Sequence, residues 1–184
     1  MLQAFWYRID AHTHDHTADH EAVVCVTPRQ ELGARRYYSV GIHPWEADTA
    51  TDTDWQRLRA MAVDPRVVAV GECGLDTRHL PAVAMEVQTA VFKRQAALAE
   101  ELGKPLIIHC VGAYNQLIAL RNELRPTVPW IVHGFRGKPQ LAADLVRHGF
   151  YISLDPRHNP DVPAAIPADR LLHETDAETK IATM

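Results

Sequence analysis

Short apolar runs that each end in a polar, metal-competent residue recur along the 184-residue sequence. The first, Ile9-Asp10-Ala11-His12-Thr13-His14, alternates so that His12 and His14 share one face of a strand. Residues 22–27 are rich in β-branched side chains and predict a second, buried strand. A third, over 36–44, ends in His43 and is closed by Pro44. The fourth covers 67–76, where Gly71 and Gly74 bracket Glu72 and point to close backbone approach. Runs over 105–110 and 129–134 end in His109-Cys110 and His133-Gly134. Strands over 150–154 and 170–176 complete the set, the last closing on Glu174-Thr175-Asp176.

Between these runs the period changes to that of a helix. Residues 52–63 place Trp55, Leu58 and Met61 or Ala62 on one face, with Thr51 or Asp52 as N-cap. A long amphipathic stretch over 84–102 is stopped by Gly103, and helices are expected over 113–124 and 140–148, the last ended by Gly149. From the fourth strand onward strand and helix alternate, which implies parallel strands joined by crossovers. Eight strands predict a (β/α)8-type TIM barrel in one domain over residues 1–184. Such barrels typically need about 250 residues, so this one is expected to be trimmed or distorted. Helices are lacking after strands one and two, between seven and eight, and after eight. Apolar barrel surface there is expected to be covered by the loops and the Met1–Trp6 segment, or by a second copy of the chain. Leu2, Phe5 and Trp6 cover only part of it, which favours a homodimer.

Composition narrows the class. Hydrophobic residues make up 47% and charged residues 23%, ordinary for a soluble globular protein. A net charge of −4 gives no global positive field, so a polyanionic substrate would need a local site. Cys25, Cys73 and Cys110 are widely spaced and read as reduced core thiols, and Cys73 and Cys110 should face away from the neighbouring polar strand ends. Neither a leader pattern nor an 18-residue apolar run is present, so a cytoplasmic protein without a membrane span is expected.

In barrels of this kind, catalytic groups gather at the carboxyl ends of the strands. Those ends carry His12 and His14, His43, Glu72, His109, His133 and Asp176. With 11 histidines in 184 residues, roughly 0.7 His-x-His matches are expected by chance, and His14-Asp15-His16 is a second match. Six strands supplying ligand-type groups at one rim is a stronger signal, suited to one or two divalent ions.

The blocks Ile9–His14, Val40-Gly41-Ile42-His43-Pro44, Val70-Gly71-Glu72-Cys73-Gly74-Leu75-Asp76, Pro105–His109, His133-Gly134-Phe135-Arg136-Gly137 and Glu174-Thr175-Asp176 together resemble the TatD family of metal-dependent hydrolases. The resemblance implies two divalent metal ions. His12, His14 and Asp176 would hold one, His109 and His133 the other, and Glu72 would bridge. His43 would contact substrate. The chain departs from the family in its missing helices and in Ala177-Glu178, where Ser-Pro usually follows the aspartate. The substrate rim is thus reduced while the ligand set is intact.

The implied chemistry is hydrolysis of a phosphodiester by a metal-activated water, with Asp176 as proton acceptor and the partner a nucleic acid. Hydrolysis of an ester or amide, as in deacylation of a tRNA, fits the same site. A degenerate metal-binding interaction protein is the reading from another class. Three or four imidazoles with two carboxylates suit zinc, manganese, cobalt or nickel, and magnesium less well. Arg136 and Lys138 are candidates to meet a phosphate, or else form a solvated turn. Asp10 shares strand parity with His12 and His14, so it either orients a ligand or is a structural strand-end carboxylate. Asp15, His16, Asp19 and His20 read as a solvated loop, with reach to the site as the alternative. Trp45 could stack a base, whereas Trp130 lies inside a strand and reads as core.

Overall fold

The fold is described by a computed structural model covering residues 2–79 and 82–179. Eight strands form one sheet in sequence order, every neighbouring pair parallel. They are β1 (Asp10–Thr13), β2 (Ala22–Val26), β3 (Tyr37–Val40), β4 (Val67–Asp76), β5 (Leu106–Val111), β6 (Trp130–Val132), β7 (Tyr151–Leu154) and β8 (Leu171–His173). Among the described residues four α-helices cover the outside: α1 (Asp52–Ala62), α2 (Met85–Leu102), α3 (Tyr114–Leu124) and α4 (Pro139–Arg147). The sheet curls into a nearly closed barrel. Its seam is made beside β1 by Asp176 N–H donating to the His12 carbonyl (3.1 Å) and His14 N–H to the Ala177 carbonyl (2.8 Å).

The period of two along each strand sorts side chains into two cores. Val24, Tyr38, Ile108, Trp130 and Phe150 face outward and pack with Leu58, Phe92 and Leu117 of the helices. Val23, Ala69, Ile107, Ile131, Tyr151 and Leu172 form a second, inner cluster. Trp130 is fully buried in the outer core, as its place inside a strand predicts.

Two strands break the alternation where the chemistry lies. In β1, Asp10 pairs with Ala22 but Thr13 with Val24, and in β4, Val70 pairs with Leu106 but Cys73 with Ile108. Each is one residue too long for its partner, the signature of a bulge that re-aims a side chain. Ala69 and Glu72 therefore both face inward although three residues apart, while Val70 and Cys73 face the outer core. The same device overturns the parity reading of Asp10. It turns away from the histidine side chains and instead accepts hydrogen bonds from Thr175 N–H (2.9 Å) and Thr175 Oγ1 (2.6 Å), with His20 Nε2 at 3.0 Å.

Among the described residues no α-helix follows β1, β2 or β8, and two short 3-10 turns, Pro163–Ala165 and Ala168–Arg170, replace the crossover between β7 and β8. Among the described residues no exposed large apolar side chain lies on the strands that lack a following helix. The N-terminal segment joins the inner cluster through Leu2 and through Trp6 of the turn Ala4–Tyr7, plugging the amino end of the barrel rather than coating its side. Met1 lies outside the described residues. Among the described residues the exposed large apolar side chains are Tyr7, Trp45, Val63, Val87 and Leu124, none of which lies on β1, β2 or β8.

Helix α1 is capped by Thr51, one of the two expected caps. Its hydroxyl accepts from Asp54 N–H (3.2 Å), and Asp54 Oδ2 accepts from Thr51 N–H (2.9 Å). Helix α2 carries two fully buried glutamines seven residues apart on one face. Gln95 accepts from Ile42 N–H (2.8 Å) and donates to the Ile42 carbonyl (2.9 Å); Gln88 does the same for Asp76 (2.8 and 3.1 Å). Each amide clamps backbone next to the polar strand ends. Gln95→Leu is expected to strand a buried N–H and a buried carbonyl, at about 1–3 kcal/mol for each unsatisfied group. Urea unfolding would measure that loss, and an unchanged midpoint would count against the clamp.

Candidate metal centre

Glu72 stands at the centre of the carboxyl-end rim, 5% exposed. Its two oxygens face different histidines. Oε2 lies 3.5 Å from His12 Nε2 and 3.3 Å from His14 Nε2. Oε1 lies 2.9 Å from His109 Nδ1, 2.7 Å from His133 Nε2 and 3.3 Å from His43 Nε2. The Nε2 atoms of His12 and His14 approach to 3.2 Å, and Asp176 Oδ1 is 4.0 Å from each. All seven strand-end residues singled out in the sequence thus converge on one floor. Donor atoms in three groupings (His12, His14, Cys25 and Glu72; His12, His133 and Asp176; His43, Glu72 and His109) lie within 4.8 Å of one another.

The far ring nitrogens separate these histidines by role. His109 turns Nε2 to Asp76 Oδ2 (2.9 Å), and His133 turns Nδ1 to Glu174 Oε1 (3.4 Å). A carboxylate on the far nitrogen fixes the proton there and leaves the near nitrogen's lone pair for a cation. His43 is arranged the other way. Its Nδ1 accepts the Trp45 backbone N–H (3.2 Å), so in the neutral ring the proton sits on Nε2, which becomes a donor toward the centre.

Electrostatics call for positive charge at this point. Burial pushes Glu72 up, but His133, with hydrogen bonds from His109, His12 and His133, outweighs it and holds the carboxyl well below the usual range. Burial pushes His133 down, yet Glu72 and Glu174 raise it well above the ordinary imidazole value. A charged imidazole thus balances the buried carboxylate, a task a divalent cation performs through the lone pairs instead. His43 is shifted down, chiefly by burial, which Glu72 only partly offsets. Cys25, read from the sequence as a core thiol, faces this inner side; burial pushes it up to about 12, so it stays a thiol. Cys73 belongs to the outer core, as expected, while Cys110 packs in that core and also borders the cavity.

Several functional neighbours were not singled out in the sequence. Asp76, fully buried, lies four residues beyond Glu72 and so shares its strand parity, a usable signal. Glu174 stands two residues before Asp176, and its Oε1 also accepts Gly134 N–H at 2.6 Å. Asp155, buried at the end of β7, binds Arg136 (2.5 Å) and Arg157 (2.7 Å), and Arg157 Nη2 reaches Asp176 Oδ2 at 2.8 Å. Nothing local in Asp155-Pro156-Arg157 announces that contact across to Asp176. The loop after β1, expected to be solvated, contributes His16 to the cavity wall, while His20 braces Asp10. Arg136 reaches the wall but Lys138 does not, standing instead before the first turn of α4.

Above this floor opens a cavity of about 860 Å³, lined among others by His43, Trp45, Arg78, Tyr114, Arg136 and Asp176. The family described as TatD related DNase matches residues 13–178. The chain belongs to this family. A 3'-5' ssDNA/RNA exonuclease TatD of Enterobacter lignolyticus is 37% identical over 153 residues, covering 78% of the chain and 58% of that relative. An uncharacterized metal-dependent hydrolase, YabD, of Bacillus subtilis is 34% identical over 148 residues, covering 76% and 58%. The chain thus spans just under three fifths of the length of these curated relatives. The crystal structure of a TatD homologue from Escherichia coli superposes with a TM-score of 0.77 at 25% identity, covering 91% of this chain and 78% of that one. A TatD family hydrolase of Entamoeba histolytica shares the fold, with a TM-score of 0.71 at 19% identity. No described helix is long and apolar enough to cross a membrane.

Proposed function

We propose that the chain is a metal-dependent phosphodiesterase acting on nucleic-acid ends. The carrying observation is Glu72, whose two oxygens address two different sets of imidazole nitrogens, the geometry of a carboxylate that bridges two cations. His12, His14 and Asp176 would hold one divalent ion, and His109 and His133 the other. Nitrogen and carboxylate donors in this number suit zinc, manganese, cobalt or nickel better than magnesium. When bound, such a pair supplies Lewis-acid stabilisation of the attacking and leaving oxygens of a phosphoryl transfer.

The chain's own residues do the rest. Asp76 and Glu174 hold His109 and His133 in the tautomers that offer a lone pair inward. Arg157 occupies Asp176 Oδ2, which leaves Oδ1 as the oxygen to accept the proton of the attacking water. His43 Nε2–H donates to a phosphoryl oxygen of the substrate. Arg136, anchored by Asp155 at the cavity wall, is the cation that meets the same phosphate. The names of the relatives, one a single-strand exonuclease, favour a nucleic acid over an ester or amide substrate.

Chelation tests the proposal. Turnover of a chromogenic phosphodiester is expected to vanish in excess chelator and to return on addition of zinc or manganese, with elemental analysis following about two ions per chain. Full hydrolysis by protein shown to be free of metal would end the reading.

A further inference from the structure

Cys25 stands apart from the other two cysteines, which pack in the outer core. Along β2, Val23 joins the inner cluster while Val24 and Val26 join the outer one, so the period of two aims Cys25 at the barrel interior. There it belongs to neither apolar cluster and lines the cavity, 7% exposed. Its neighbours are ligand-type atoms. One donor atom from each of His12, His14, Cys25 and Glu72 lies within 4.8 Å of the others. Bonds of about 2.0–2.3 Å to a single divalent ion hold donors up to about 4.5 Å apart, the limit being reached on opposite sides of the ion. The four atoms are thus already near the spacing that one ion imposes.

The surroundings are also built for a charged sulfur. Ser39 pairs with Cys25 in the β2–β3 register, is fully buried, and its hydroxyl has no hydrogen-bond partner among the described residues. A buried hydroxyl left idle is costly, and a thiolate is the acceptor it lacks. Burial and the Glu72 carboxylate oppose a thiolate at Cys25, whereas the Glu72 backbone N–H and the Ser39 hydroxyl favour it. A cation between the sulfur and the carboxylate removes the opposition and keeps the two donors. Cys25 therefore stays a thiol until a cation displaces its proton to solvent, because a coordinating thiol is deprotonated outright.

We propose that Cys25 is a further metal ligand, joining His12, His14 and Glu72 on one divalent ion as a thiolate. The donor set names the kind of ion. Sulfur is a soft donor that suits a borderline-soft ion such as zinc, while manganese and magnesium favour oxygen. The proposal rests on the metal-centre reading and narrows the ion on the His12 and His14 side.

The test reads the bond to sulfur in the full chain rather than turnover. Zinc-edge X-ray absorption of the native protein should show a sulfur neighbour at about 2.3 Å beside nitrogen and oxygen neighbours at about 2.0–2.2 Å. The cobalt-loaded protein should carry a near-ultraviolet sulfur-to-cobalt charge-transfer band. Cys25→Ser and Cys25→Ala should remove that band, and Cys110→Ala should keep it. Competition with a chelator should show zinc affinity falling at least tenfold in Cys25→Ser, since even residues that only support a ligand are worth about that much. Manganese affinity should hardly change. Native protein that holds zinc with no sulfur neighbour overturns the ligand and leaves the metal centre standing, as does a charge-transfer band that survives both Cys25 variants. A native chain that takes up neither zinc nor cobalt overturns both. If the Cys25 variants do not fold, the zinc-edge spectrum of Cys110→Ala decides: a sulfur neighbour retained upholds Cys25, and one lost overturns it.

Discussion

Glu72→Gln is expected to lower phosphodiester turnover by about a thousandfold, because several kcal/mol of transition-state stabilisation depend on both cations being held. The substitution removes one negative charge from a buried point that three imidazole nitrogens approach on one oxygen and two on the other. An amide offers one acceptor in place of two carboxylate oxygens, and its NH2 group would face imidazole nitrogens whose lone pairs it cannot share with a cation. Elemental analysis should show metal lost from the purified variant. His43→Ala provides the contrast: it removes a donor rather than a ligand, so its cost should stay near 10–100-fold, the worth of one hydrogen bond to a charged group. A Glu72 variant with two metals and near-normal turnover would refute the bridging role.

Gly74→Ala is expected to cost about 4 kcal/mol or more, in the range reached by few substitutions. Gly74 has φ 155°, and a Cβ built on it would fall 1.8 Å from the His109 carbonyl oxygen and 2.7 Å from its carbon. Both are backbone atoms of β5, so nothing flexible can give way, and relief requires β4 and β5 to separate at the level of Glu72, His109 and Asp76. Gly103→Ala is the control. Gly103 also has a positive φ, 63°, but nothing lies within 4 Å of its added Cβ, so only the left-handed backbone cost of about 1–2 kcal/mol applies. Urea unfolding of both variants separates the clash from the dihedral. Equal destabilisation of the two would show that the close approach of β4 and β5 does not matter.

Much of the molecule could be read directly. Short apolar runs closed by polar residues place all eight strands, though the runs over 36–44 and 170–176 extend past β3 and β8, and the change to a helical period, with Thr51 and Gly103 at helix ends, places the four helices to within a residue or so. Strand-end residues are legible because parallel strands share a direction, so every His, Glu or Asp that closes an apolar run falls on one rim. That is why His12, His14, His43, Glu72, His109, His133 and Asp176 could be gathered before any coordinates.

What the local pattern could not supply is register and the contacts that register creates. Strict alternation puts Asp10 with His12, but the bulge in β1 turns it toward Thr175, where it braces the segment carrying Asp176. A bulge depends on how one strand pairs with its neighbour, and a single run carries no record of that. The supports of the centre are long-range for the same reason: Asp76 beneath His109, Glu174 behind His133, Arg157 on Asp176, and Gln88 and Gln95 clamping strand ends from α2. Coverage of the barrel was also a tertiary matter, since the Ala4–Tyr7 turn could plug its end or coat its side with the same apolar residues. The sequence by itself determined which residues form the rim, because strand direction and period are local properties. Only the tertiary structure decided which oxygen of Glu72 faces which imidazole and what holds each ring, because those follow from strands distant in sequence meeting across a closed barrel.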